Sequence, residues 1–107
     1  MRIAVAAGPE TVPGTLAESV RLLVIETDNG GILAERPGPD GMGFAELALE
    51  YRCEAVACGK ITEPDVFGRL AENGVTRYYT AGLAPLEAAR AAEDGWRPIM
   101  TRIGEMR

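Results

Sequence analysis

No histidine occurs anywhere in the 107 residues. That absence removes the commonest general base and the commonest metal ligand together. It excludes a Ser-His-Asp hydrolase and a zinc hydrolase unless another chain supplies the ring. Cysteine is nearly as scarce, with only Cys53 and Cys58. With an extended segment between them they stand roughly 16 Å apart, at about 3.3 Å per residue. A disulfide needs Cα atoms within about 7 Å, so both thiols are expected to be free. Free thiols fit a cytoplasmic protein. No run approaches the roughly 20 apolar residues that span a bilayer. The opening Ile3-Ala4-Val5-Ala6-Ala7 is too short for a signal peptide, so no membrane is expected as a partner. Basic residues are outnumbered 11 to 16, for a net charge of −5. Nucleic acid is therefore not an expected partner, since non-specific binding needs a basic face. An anionic ligand still fits if positive potential is local.

What is present points to one α/β domain. Apolar residues make up 47 % and charged residues 25 %, the balance of an ordinary globular chain with one core. Arg2 to Ala7 is a short apolar run without alternation, read as a fully buried strand. A loop rich in Pro and Gly follows, from Gly8 to Ala17. Ser19 to Thr27 is a second strand, rich in branched residues. Asp28-Asn29-Gly30-Gly31 predicts a hairpin turn, and Ile32 to Arg36 returns antiparallel. Phe44, Leu47, Ala48 and Tyr51 share one helical face, predicting a helix over Gly43 to Arg52. Glu54 to Cys58 is the next strand, expected beside the first at the centre of the sheet. A second helix is predicted over Glu63 to Glu72, capped by Thr62 in a box-like pairing with Asp65, with Pro64 in its first turn. Val75 to Thr80 is a fifth strand. Pro85 opens a third helix that ends before Gly95, with Glu87 and Arg90 spaced to pair. Residues 1–95 form the domain, and 96–107 form a tail without a clear period.

The opening Met1-Arg2-Ile3-Ala4-Val5-Ala6, the hairpin at Asp28 to Gly31, the segment Cys53-Glu54-Ala55-Val56-Ala57-Cys58-Gly59, and Gly74-Val75 before an extended run resemble the dinitrogenase iron–molybdenum cofactor biosynthesis family. The resemblance runs from about Arg2 to Asp94. It implies a ribonuclease-H-like fold: a five-stranded mixed sheet with an early antiparallel hairpin and helices on its faces. It also implies a non-enzymatic carrier of an iron–sulfur or iron–molybdenum-type cofactor or its precursor. Many members carry a Gly-His-Phe-Gly-like segment in the loop after the first strand. The corresponding stretch here, Val12 to Glu18, has no histidine, so that ligand does not carry over.

The expected binding edge is where strand carboxyl ends meet helix N-termini. Cys58 ends a central strand beside a helix start, where a thiol pKa falls and a thiolate can ligate a soft metal. The plain alternative is a small buried hydrophobe, the commoner state of a free cysteine. Gly59, Lys60 and Thr62 can cradle an anion with backbone N–H groups, helix dipole and ammonium, or form an ordinary connecting loop. Gly14 and Thr15, with Ser19, belong to the loop after the first strand and face the same edge. Thr80-Ala81-Gly82 lies there too. Strand one has no acid, and Glu26, Asp28 and Glu54 do not converge, so a metal-dependent nuclease is not expected. The alternative to a carrier is a metal-free interaction domain. In that case Trp96, Ile99, Met100, Ile103 and Met106 of the tail form a partner or homodimer face, or else cover a sheet edge.

Overall fold

A computed structural model describes residues 1–95 and 97–103. The elements are β1 (Arg2–Ala7), β2 (Arg21–Glu26), β3 (Gly31–Pro37), α1 (Gly41–Glu50), β4 (Ala55–Cys58), α2 (Pro64–Glu72), β5 (Thr76–Tyr79) and α3 (Pro85–Asp94). The five strands form one mixed sheet in the order β3-β2-β1-β4-β5. β2 is antiparallel to β1 and β3, while β4 runs parallel to β1 and β5. β1 is central and β4 lies beside it, as their unbroken apolar character requires.

Every residue from Ile3 to Ala7 is fully buried because both faces of β1 are covered. Ile3, Val5 and Ala7 join Ala55, Ala57, Leu23 and Ile25 against α3. Ala4 and Ala6 join Leu22, Val24, Val56 and Cys58 against α1 and α2. The buried residues of α3 are all alanine: Ala88, Ala89, Ala91 and Ala92. Small side chains there leave room for the branched residues of the sheet. On the other face the bulk comes from Phe44 and Leu47 of α1 and Val66 and Leu70 of α2.

Local chemistry sets the boundaries. Asp40 caps α1 by accepting the Gly43 N–H at 2.9 Å, so this helix starts two residues before its predicted start. The hairpin turns at Gly30, whose φ of 72° is left-handed. A register shift between Val24 and Ile25 leaves Leu33 unpaired on β3. Two expectations are corrected. α2 has Glu63, not Thr62, at its N-cap, without a side-chain cap bond, while Thr62 is exposed. Glu87 turns back to accept the Ala84 N–H at 3.4 Å rather than pairing with Arg90. Part of the tail is ordered against β5, and Met100 is buried. Trp96 and Met106 lie outside the described residues.

Candidate functional site at the carboxyl edge of the sheet

The topology gathers one edge. β1, β3, β4 and β5 all finish there, and α1, α2 and α3 all begin there. Within it, the loop after β1 folds onto the loop after β4. Thr15 and Lys60 form a parallel bridge. The Lys60 N–H donates to the Gly14 carbonyl, and the Leu16 N–H donates to the Lys60 carbonyl, both at 2.9 Å. The crossing is so close that a Cβ on Gly59 would stand 2.3 Å from the Pro13 carbonyl oxygen and 2.6 Å from Thr15 N. Glycine is required at 59 for that contact. The loop after β5 joins the cluster: Gly82 N–H donates to Val12 O and Val12 N–H to Leu83 O, both at 2.8 Å.

The loops after β1, β4 and β5 meet at one edge, as expected from the sequence, but two of the roles expected there change. The Lys60 amide is spent on Gly14, so the backbone after Gly59 is a structural clasp before it is an anion cradle. Cys58 is fully buried in the core, and burial pushes its thiol up to about 12. The direction is opposite to that expected from a helix N-terminus, because desolvation outweighs the favourable charge of Arg77. Cys53 is likewise buried and pushed up to about 11. Both thiols are free, as the spacing predicted.

Each helix N-terminus at this edge already has a carboxylate of its own. Asp40 caps α1, Glu63 and Asp65 stand at the start of α2, and Glu87 folds onto the start of α3. The Glu63 carboxylate also approaches α1, since a Cβ on Gly41 would meet its Oε1 at 2.9 Å. These acids offset the helix dipoles, a consequence that sequence reading missed although all four residues stand at helix starts. Arg21 pairs with Glu35 at 3.8 Å and Arg36 with Glu50 at 3.9 Å. Lys60, half-buried beside Gly59, has no ion-pair partner among the described residues. Gly14 and Thr62 are exposed near it, and Thr15 is half-buried, its hydroxyl donating to Glu18 at 2.7 Å. A cleft of about 410 Å³ opens beside the clasp, between Gly8, Thr11, Pro13 and Glu18. Ser19 and Thr80, at either side of the edge, are buried.

The fold has a solved counterpart. The chain is similar to the apo form of the orange protein from Desulfovibrio gigas, with a TM-score of 0.72. The likeness covers 94 % of this chain and 92 % of that one at 18 % identity. At that identity it is a likeness of fold. No family model and no curated protein matches the sequence.

Direct metal ligation does not fit the donors at this edge. Among the described residues no three His, Cys, Asp or Glu side chains gather to hold a metal ion. The sulfur nearest the edge belongs to the buried, protonated Cys58. Within the described residues no helix is long and apolar enough to cross a membrane.

Proposed function

We propose that this chain is a non-enzymatic binding protein that carries a metal–sulfur cluster or its precursor at the carboxyl edge of its sheet. The observation that carries the reading is the ammonium of Lys60, without an ion-pair partner among the described residues, placed where four strands end and three helices begin. Strand order and direction support a ribonuclease-H-like assignment within the α/β class. The likeness to a protein solved in an apo form supports a ligand-bearing role, and a cytoplasmic setting agrees with the free thiols.

The donor set defines the kind of cargo. Because no ligand cluster gathers among the described residues, the cargo in this reading arrives with its coordination sphere complete, as a preassembled metal–sulfur anion. Lys60 supplies the charge; Gly14, Thr15 and Thr62 supply the surrounding polar surface. Cys58 supports the strand from inside the core and is not a ligand in this reading. The carboxylates at the helix starts keep the edge from binding anions indiscriminately.

A visible-absorbance titration of the anaerobic protein with tetrathiomolybdate tests this. Binding should weaken at least tenfold in Lys60→Glu, about 1.4 kcal/mol, and stay unchanged in Cys58→Ala variants that remain folded. Equal binding by Lys60→Glu would overturn the assignment of the site. The second reading, a metal-free interaction domain, is favoured by the carboxylates at all three helix starts. It predicts no binding by any variant.

A further inference from the structure

The lateral edge of the sheet, formed by β5, is not left bare. The segment after α3 folds back along it. Tyr79 N–H donates to Pro98 O at 2.8 Å, and Met100 N–H donates to Arg77 O at 2.7 Å. Tyr78 and Ile99 stand opposite one another in an antiparallel bridge. Met100 is 2 % exposed and enters the core on the side of α1 and α2, whereas Ile99 and Ile103 remain 45 % and 47 % exposed. The segment is thus held by a short ladder and by the buried side chain of Met100, among other contacts.

Arg77 supplies the rest. Its Nε and Nη2 both donate to the single carbonyl oxygen of Met100, at 3.2 and 3.1 Å, while Nη1 donates to Val75 O at 2.6 Å. The guanidinium lies 4.8 Å over the Phe67 ring. A guanidinium fork is complementary to a carboxylate, which offers one oxygen to each donor and full opposite charge. Here the fork is filled by one neutral oxygen, and no carboxylate pairs with Arg77 among the described residues. Burial draws Arg77 below its ordinary value, as expected of a partly desolvated cation without a counter-charge.

We propose that the β5 edge is a docking site for the C-terminal tail of another polypeptide. The tail adds as an extended strand, its last side chain is unbranched and apolar, and its terminal carboxylate takes both donors of Arg77. Residues 98–100 are the internal occupant that such a tail displaces. The mode combines strand addition with carboxylate capture. Internal occupancy lowers apparent affinity by the fraction of time the edge is closed. This site stands apart from Lys60 and does not depend on the carrier reading.

Fluorescence anisotropy with a labelled Arg-Pro-Ile-Met peptide tests the proposal on the full chain. The peptide is used with a free carboxylate and as the C-terminal amide. The acid should bind at least tenfold tighter than the amide. Met100→Gly, which removes the anchor, should tighten binding of the acid about tenfold. Arg77→Gln should abolish the preference for the acid. If that variant does not fold, Arg77→Lys keeps the charge without the fork and should reduce the same preference. Equal affinity of acid and amide, or no binding to Met100→Gly shown folded by circular dichroism, would overturn the proposal. So would a concentration-dependent doubling of mass in Met100→Gly, which would make a second copy the occupant.

Discussion

Replacing Gly59 by alanine is the sharpest perturbation of the clasp. The added Cβ would lie 2.3 Å from Pro13 O, 2.6 Å from Gly14 C and 2.6 Å from Thr15 N. All three atoms are backbone, so no side chain can swing aside. Relief requires the two loops to part, which breaks the Lys60–Gly14 and Leu16–Lys60 hydrogen bonds. Each bond contributes about 1 kcal/mol, and overpacking adds about 1–3 kcal/mol. The sum, about 3–5 kcal/mol, is a large part of the stability of a small domain. Gly14 is the internal control. It lies within the same clasp, yet nothing stands within 4 Å of its Cβ position, and its φ is not among the left-handed ones. Gly14→Ala should be neutral or stabilise by about 0.4–1 kcal/mol through the unfolded chain. Urea unfolding of the three proteins, compared at constant slope, measures both values. A Gly59→Ala cost below about 1 kcal/mol, or equal effects at the two glycines, would refute the argument from close approach.

Cys58 and Cys53 should resist a disulfide reagent at pH 8 in the folded protein and react fully in denaturant, since burial holds both thiols well above that pH. Prompt labelling of Cys58 under native conditions would contradict its placement in the core. Met100→Ala should destabilise the chain by about 2–4 kcal/mol by leaving a cavity under α1 and α2, read as a lowered denaturation midpoint. The contact between the Met1 amino group and Glu26 at 2.6 Å should shape the pH profile at both ends. Its hydrogen bond lowers Glu26 and raises the amino group. The Glu26 contribution is therefore present above its ordinary carboxylate value and lost as pH falls through the lowered one. The amino contribution is complete below its ordinary value of 8.0 and lost as pH rises through the raised one. A melting-temperature series should lose part of both limbs in Glu26→Gln, and an unchanged profile would remove this pair from the account.

Much of the architecture was legible because it rests on period and punctuation. The unbroken apolar runs Ile3–Ala7 and Ala55–Cys58 placed two strands inside the sheet, and Asn29-Gly30 fixed the hairpin. That the Gly14 and Gly59 loops face one edge followed from parallel neighbours, while their hydrogen-bonded clasp is visible only in the structure. What escaped is tertiary. Capping of α1 by Asp40 and the backward turn of Glu87 depend on rotamers that spacing alone does not select. The state of Cys58 depends on how completely α1 and α2 cover it, and desolvation there outweighs the dipole argument that local sequence suggested. The fold-back of residues 98–100 over a sheet edge was one of two readings open for the tail, and no period chose between them, since it is held by a short ladder and by burial of Met100.

Cargo seated on the edge marked by Lys60, as proposed, must perturb the backbone amides around it. Amide chemical shifts followed during anaerobic addition of tetrathiomolybdate would test it most directly. Changes should concentrate at Gly14, Thr15, Lys60 and Thr62, with little change at the Met1–Glu26 end of the sheet. Saturable binding with shifts confined to another surface, such as the groove between Arg36 and Glu46, would contradict it. An unchanged spectrum at millimolar anion would contradict it equally.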